Sequence, residues 1–337
     1  MHGPFTVKDS FSREETVMVS LLLAIIYMAF LSLGLPDSLL GSGWPVMRLE
    51  LGAGAVDAAL NNYVAVHYSS RQMSWLHAFW GVGVTISPYI MSSCLIGGLG
   101  WQTGYRRVSL LQIVLTVILF AALPLWRRSG GASEGAAADV PLSKAVKIPG
   151  VPFVMLAFLG FCALETTAGL WASSYLVGAR GVDAETAAKF TALFYMGETV
   201  GRVANGFVAD RFGDRNMIRV GLVLILAGIG RVLVPINTVA LAGLVVVGPG
   251  AAPVYPCIIH ATPYNFGTEN SQALVGIQMA SAYTGSTLMP PLFGLIAQHI
   301  NVGLYPFYLL LFAGLMLVMT ELLNRAVGRR RQESGRQ

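Results

Sequence analysis

The stretch Gly206-Phe207-Val208-Ala209-Asp210-Arg211-Phe212-Gly213-Asp214-Arg215 ends one long apolar run, 186–209, and leads into the next, 217–235. Both runs are near or above the ~17 to 25 residues that a helix needs to cross the hydrocarbon of a bilayer. A short turn of glycine, aspartate and arginine between two such runs predicts a pair of membrane-spanning helices joined at the membrane surface.

Similar apolar runs occupy most of the chain. Of its 337 residues, 55% are apolar and 12% are charged, about half of the ~25% charged residues usual in a soluble domain. The runs are 17–40, 51–67, 73–97, 106–126, 151–176, 186–209, 217–235, 238–260, 271–297 and 304–324. The sequence therefore predicts an all-α, polytopic membrane protein with about ten transmembrane helices and excludes a soluble domain.

The distribution of lysine and arginine orients these helices. With ten crossings both termini share one side, and if that side is the cytoplasm, the inner segments hold 15 of the 22 basic residues. Positive charge is retained in cytoplasmic loops, so we expect both termini in the cytoplasm of a multi-pass protein of the cell (plasma or inner) membrane. The first run is longer than a signal-peptide core and lacks a small-residue cleavage site after it, which predicts a retained helix.

The longest polar interruption, 127–150, is rich in glycine, alanine and serine and predicts a cytoplasmic linker. It separates a first bundle of four helices, 1–126, from a second bundle of six, 151–337. Two short echoes relate the bundles: GAGA at 52–55 resembles GPGA at 248–251, and GVTISP at 83–88 resembles GSTLMP at 285–290. Such internal symmetry is typical of transporters built from two repeats.

Two carboxylates inside apolar runs, Asp37 and Asp57, are the first candidates for a functional site. A charge in hydrocarbon costs roughly 2.5 to 3.5 kcal/mol, so such residues normally face a solute or proton path. Asn61 lies four residues after Asp57 on the same helical face, and Asn62 is about 100° further round. This face is suited to a polyhydroxylated solute while Asp57 exchanges a proton. The alternatives are a packing role for Asp57, and for Asp37, which follows a proline, a place in interfacial water.

Other polar and aromatic side chains inside the runs are further candidates for solute or proton binding. They are His77, Trp80, Glu165, Trp171 and Gln278, with Tyr283 close to the last of these. The alternatives are a structural histidine and tryptophans of the interfacial belt. Glu198 and Arg202 are four residues apart and are predicted to form a structural ion pair.

Several classes of function are not predicted. Cys94, Cys162 and Cys257 are isolated within apolar runs, with no spacing that suggests zinc or a disulfide framework. The chain has no HExxH or paired catalytic carboxylate motif, so an enzyme is not expected, and no Walker loop, so ATP is not the energy source. We expect no cofactor and no metal. Topology accounts for the basic tail, so a nucleic-acid partner is not expected, whereas the lipid bilayer is.

The stretch 206–215 resembles the cytoplasmic loop motif of the major facilitator superfamily. In that motif a glycine allows close helix contact, an aspartate caps a helix end, and basic residues anchor the cytoplasmic face. The resemblance assigns these loop and gating roles to five positions. They are Gly206, Asp210, Arg211, Gly213 and Arg215.

Other stretches are similar to the fucose permease-like branch of the superfamily, which contains sugar:proton symporters. GLPDSLL at 34–40 resembles its first-helix motif, VDAALNNY at 56–63 its fourth-helix motif, and YPCIIHATP at 255–263 the end of its tenth helix. The resemblance implies acidic site residues at Asp37 and Asp57, and transport of a small neutral solute by alternating access coupled to protons.

The chain departs from this branch in its first half. The fourth-helix motif follows directly after WPVMRLE at 44–50, which in relatives leads into the second helix. The resemblance therefore implies that helices two and three are absent and that the first bundle is truncated. Two hypotheses follow: a sugar-like solute carrier, or a non-transporting deletion remnant of such a carrier. The identity of the solute and the oligomeric state are left open.

Overall fold

A computed structural model describes residues 20–31, 53–122, 124 and 142–334, and all regular elements within these ranges are helical. The all-α membrane fold predicted from the sequence is confirmed. Asp37, most of the linker 127–150 and the junction at which two helices are predicted to be absent lie outside the described residues.

The helices are numbered in chain order. They are α1 (Ser20–Leu31), α2 (Ala53–His67), α3 (Ser70–Ile96), α4 (Gly100–Ala121), α5 (Val151–Arg180), α6 (Ala184–Phe212), α7 (Asp214–Leu233), α8 (Asn237–Ala251), α9 (Val254–Phe266), α10 (Thr268–Ile296) and α11 (Tyr305–Ser334). A single helical turn at Leu142–Ala145 precedes α5, and a π turn at Ala297–Asn301 with a 3₁₀ turn at Val302–Leu304 joins α10 to α11.

The helices overlap the apolar runs read from the sequence, with one difference. The predicted span 238–260 consists of two helices, α8 and α9, interrupted at Ala252 and Pro253. Prolines at 249 and 253 lack the N–H group that a continuous helix requires, which explains the interruption. Within the described ranges, five stretches are long and apolar enough to cross a membrane, the last containing both α10 and α11. They are Gln102–Ala121, Val151–Arg180, Asp214–Leu233, Asn237–Phe266 and Thr268–Arg330.

The chain forms two compact units. The first consists of Met1–Leu39 and Val82–Ala136, and the second of Leu40–Gly81 and Ala137–Gln337. The boundary therefore falls within α3. The second unit contains α2, the beginning of α3 and α5 to α11, and within it α2 packs against α9 and α10. The predicted division into bundles at the linker 127–150 stays a prediction.

Glycines set the distance between α7 and α8 in the second unit. A methyl group on Gly221 would lie 2.6 Å from the carbonyl oxygen of Gly250, and one on Gly243 would lie 2.6 Å from that of Gly228. Gly221 and Gly228 are seven residues apart on α7, and Gly243 and Gly250 are seven residues apart on α8. Each helix therefore presents its two glycines on one face, two turns apart. Small residues at such positions allow the backbones of membrane helices to approach closely.

A side-chain cap begins α6 at the end opposite the loop motif. Asp183 Oδ1 accepts a hydrogen bond from the backbone N–H of Thr186 at 2.8 Å. This hydrogen bond lowers the pKa of Asp183 below its ordinary value. Glu185 in the first turn of the helix forms an exposed ion pair with Lys189 at 2.6 Å. Because asparagine is as good a cap as aspartate, Asp183→Asn is expected to leave the helix intact.

We expect Gly228→Ala to destabilise the protein by about 1–3 kcal/mol, because the added methyl would lie 2.8 Å from the Gly243 carbonyl oxygen. Gly230→Ala, in the same helix, is the matched control, since a methyl there would meet no described atom within 4 Å. The midpoint of thermal unfolding of the detergent-solubilised protein measures both variants. Equal midpoints for the two would refute close packing of α7 on α8.

Candidate functional site

Asp57 on α2 is the first member of a hydrogen-bonded chain that crosses three helices. Its Oδ1 accepts from the amide Nδ2 of Asn61 at 2.9 Å. Its Oδ2 accepts from the hydroxyl of Tyr283 on α10 at 2.7 Å. Nε2 of His77 on α3 lies 3.0 Å from the Asn61 Oδ1. The carboxylate is half-buried, whereas Asn61 and His77 are buried.

The direction of these hydrogen bonds follows from Asn61. Because its amide nitrogen donates to the Asp57 carboxylate, its oxygen is left to accept, so Nε2 of His77 carries the hydrogen. Each group thus has a partner of the correct kind, and a fully satisfied buried network is rigid. The spacing of Asp57 and Asn61 on one helical face predicted their proximity. Tyr283 joins them only through the packing of α10 against α2.

Aromatic side chains surround the His77 end of this chain. The ring of Tyr255 on α9 meets the His77 ring edge-on with centroids 4.6 Å apart. It also contacts Phe158 at 4.6 Å and Phe161 at 6.3 Å. The Asn62 Oδ1, on the adjacent face of α2, accepts from the Ser271 hydroxyl at 2.6 Å. The site therefore combines carboxylate, amide, imidazole and phenol groups with aromatic surfaces.

Arg202 on α6 binds two carboxylates. Its Nη2 donates to Glu165 Oε1 of α5 at 2.8 Å and also to Glu198 Oε1. The face of the Trp80 ring lies over the guanidinium, with 5.4 Å between Cζ and the ring centroid. The sequence predicted the pair with Glu198 from its spacing. It gave no sign that Glu165 joins them, because that contact is between helices.

Two other predicted site residues have different partners. The indole Nε1 of Trp171 donates to the carbonyl oxygen of Pro290 at 3.0 Å. The Gln278 amide is buried and exchanges hydrogen bonds with the Thr262 hydroxyl at 2.9 and 3.1 Å. These contacts tie α5 to α10 and α9 to α10. Their roles in solute binding stay predictions, as does that of Asp37, which is outside the described residues.

The loop motif lies against the beginning of α3. Gly206 is so close to the indole of Trp75 that a methyl group there would overlap the ring. Asp210 Oδ1 accepts from the backbone N–H of Arg71 at 3.0 Å, and its Oδ2 accepts from the Ser69 hydroxyl at 3.0 Å. Asp210 therefore caps the N-terminus of α3, where a negative charge is favourable. Arg71 also forms an ion pair with it at 3.3 Å.

Asp214 and His260 extend this contact, although neither was among the predicted site residues. Asp214 accepts from the Ser70 hydroxyl at 2.6 Å, and it contacts Nδ1 of His260 at 2.7 Å. The other ring nitrogen of His260 faces the carbonyl oxygen of Tyr68 at 3.1 Å. Because both partners are acceptors, both ring nitrogens donate in this geometry. Asp214 lies inside the motif and His260 inside the stretch 255–263, so the available signal was their place in those motifs.

The remaining motif positions are at the turn between α6 and α7. Gly213 has φ of 76°, a conformation that favours glycine, and it is the single residue between the end of α6 and the beginning of α7. Arg211 and Arg215 are exposed. Most of the polar residues named above thus lie in two regions: a central network around Asp57 and Arg202, and an end contact formed by Ser69–Arg71, Asp210, Asp214 and His260.

Apolar helices of this length define a multi-pass membrane protein, and buried ionisable side chains within them are typical of transporters. A model of the Major Facilitator Superfamily matches residues 7–258 and 181–337. The chain therefore belongs to the major facilitator superfamily.

Known proteins are similar over most of the chain. The uncharacterized transporter y4wD of Sinorhizobium fredii is 26% identical over 287 residues, which cover 81% of this chain and 71% of that protein. The cis,cis-muconate transport protein of Acinetobacter baylyi is 25% identical over 326 residues, 88% of this chain and 74% of that protein. Among solved structures, FucP in its outward conformation matches with a TM-score of 0.63 and 15% identity, covering 94% of this chain and 91% of that one. FucP is the fucose:proton symporter of E. coli.

We expect Asp210→Asn to loosen the end contact, because the amide nitrogen cannot accept from Arg71 or Ser69. The loss is about 1–2 kcal/mol for a partly exposed charged cap. The reactivity of Cys257 reports the loosening of the end contact, since its buried Sγ lies 3.9 Å from the Ser70 hydroxyl. With the other two cysteines replaced by serine, reaction of Cys257 with N-ethylmaleimide should be about 5- to 30-fold faster.

Asp183→Asn, the same substitution at the opposite end of α6, should leave the labelling rate unchanged. If Asp210→Asn labels no faster than Asp183→Asn, then Asp210 does not hold this contact closed.

Proposed function

We propose that this chain moves a small neutral, sugar-like solute across the plasma or inner membrane by alternating access coupled to protons, with both termini in the cytoplasm. The observation that carries the proposal is the half-buried Asp57 within a chain of polar groups from α2, α3 and α10. Ionisable residues inside membrane helices typically mark solute or proton paths.

The chemistry of this network favours a polyhydroxylated solute. Carboxylate, amide and phenol groups supply both acceptors and donors for hydroxyls, and the Tyr255 ring lies beside them. The similar structure of a fucose:proton symporter supports this choice. A sequence relative is named for muconate, a dicarboxylate. The buried guanidinium of Arg202, however, is already bound by two carboxylates, which weakens its attraction for an anionic solute.

The end contact is the proposed gate on the cytoplasmic side. Asp210 and Asp214 hold the segment Ser69–Arg71 through four hydrogen bonds and ion pairs that water can replace. Such contacts are individually weak, so the gate can open at small cost. In this proposal Gly206 allows the close approach of Trp75, Gly213 forms the tight turn, and Arg211 and Arg215 face the anionic inner leaflet.

A non-transporting remnant is the second candidate. The observation that favours it is the direct passage from WPVMRLE at 44–50 into the fourth-helix motif, without the intervening helices of the branch. A remnant of this kind would retain the fold of the second unit and lack uptake.

Asp57→Asn tests the proposal. We expect uptake of the solute to fall about 10- to 150-fold, because charge-assisted hydrogen bonds of about 1.5–3 kcal/mol are lost. A panel of monosaccharides, with L-fucose and cis,cis-muconate included, is first screened by thermal stabilisation. Uptake of the stabilising solute is then measured in proteoliposomes under a proton gradient.

Asp183→Asn is the control, since it makes the same chemical change at an exposed helix cap. Uptake of muconate in preference to every monosaccharide would contradict the neutral solute. Absence of uptake by the wild-type chain for the whole panel would favour the remnant.

A further inference from the structure

The cluster of Glu165, Glu198 and Arg202 in the second unit has more acidic groups than basic groups. Two carboxylates contact one guanidinium, and both accept from the same nitrogen, Nη2. The side chains are 17%, 5% and 4% exposed, respectively. With both carboxylates ionised the cluster carries one net negative charge, which is costly in a buried site within membrane helices. One proton on the carboxylate pair removes that charge.

Neighbouring groups do not supply the missing positive charge. Those that interact electrostatically with the cluster are Cys162 on α5, Tyr195 on α6, Tyr255 on α9 and His77 on α3, and Asp57 on α2 interacts in turn with Cys162. Three of these are weak acids and Asp57 adds negative charge. His77 is the one base among them in the described part of the chain, and its Nε2 hydrogen is directed to Asn61 rather than to either glutamate.

Arg202 has one N–H donor in reserve for the state in which both glutamates are deprotonated. Among the described atoms its Nε, which is buried, has no hydrogen-bond partner. While a proton is shared between the glutamates, one nitrogen of the guanidinium serves both. When the proton leaves, the second carboxylate can accept from Nε, so that the guanidinium binds each anion through a separate nitrogen. The cluster can therefore exist in two protonation states without dismantling the ion pair.

A row of polar side chains leads from the cluster toward the end of α5 and α6 that we predict to face outward. The Tyr195 hydroxyl lies against Gly169, where any larger side chain would displace it. One turn further, the hydroxyls of Ser173 and Thr191 lie 2.9 Å apart. On α5 the positions 165, 169 and 173 are each four residues apart, so the row follows one helical face. Glu165, the most exposed member of the cluster, is at its inner end.

From these contacts we propose that Glu165 and Glu198 share one proton beside Arg202, and that this proton is the one the carrier translocates. The inference deepens the proposed function and rests on it, since it assigns the proton to this cluster and leaves Asp57 for the solute. In the binding step a carboxylate oxygen takes a proton from a hydronium ion and releases water. In the release step the same O–H bond transfers its proton to water on the inner side.

Infrared spectroscopy of the full-length protein in lipid vesicles tests the proton site without any solute. At neutral pH the wild type should show the carbonyl band of a protonated carboxylic acid that shifts in deuterium oxide. Glu165→Gln and Glu198→Gln should each lose that band, because either change leaves one carboxylate balanced by Arg202. Arg202→Gln should increase the band, since both carboxylates then need a proton. Glu185→Gln, in an exposed ion pair of the same helix, should not change it.

Uptake of L-fucose separates coupling from binding. Glu165→Gln should lose accumulation driven by a proton gradient and retain exchange of labelled for unlabelled L-fucose, whereas Asp57→Asn should lose both. Three results would each overturn the inference and leave the proposed function standing. The wild type could lack the band, the band could survive in both glutamate variants, or Glu165→Gln could still accumulate solute under a proton gradient. Absence of uptake by the wild type for L-fucose and every other solute of the panel, with the band present and assigned, would instead overturn the proposed function and with it the coupling role.

Discussion

A charge held among apolar helices must be balanced and hydrogen-bonded, and the second unit of this protein is built around that constraint. Arg202 is bound by carboxylates from two helices, and Asp57 accepts from an amide and a phenol. In a medium of low dielectric constant, leaving either charge without partners costs far more than the contacts themselves contribute. These partners therefore fix how α2, α5, α6 and α10 are rotated about their own axes, since each must present one particular side chain.

Small residues make those contacts possible. A glutamate on α5 reaches an arginine on α6 only if the helices lie close together, and Gly169 provides that space next to the Tyr195 hydroxyl. Gly206 does the same for Trp75 at the beginning of α3. The glycine pairs between α7 and α8 extend this arrangement to two helices that, among the described residues, form no ion pair with each other. Packing in a bilayer depends on such close approach because no hydrophobic force drives helices together within lipid.

The central network and the end contact are connected through α2, α3 and the turn between them. Asp57 lies in the first half of α2, the turn that follows α2 carries Ser69, and Arg71 lies in the first turn of α3. Asp210 holds both Ser69 and Arg71. His77 lies two turns into α3, beyond the same cap. A displacement at the end contact would therefore move the groups that form the central network, since helices transmit displacement along their length. This physical connection is what a carrier needs if solute binding is to be linked to opening of one side.

Local pattern in the chain was enough to predict the helices, their membrane class and the family motif, because apolar runs of spanning length and a charged turn are properties of consecutive residues. The pairing of Asp57 with Asn61 and of Glu198 with Arg202 was likewise predictable, since positions four apart share a helical face. The spacing of residues along one helix gives no information about their neighbours on other helices. Tertiary packing decided that Tyr283 lies beside Asp57, Glu165 beside Arg202 and His260 beside Asp214, because each contact depends on which faces meet when the helices assemble.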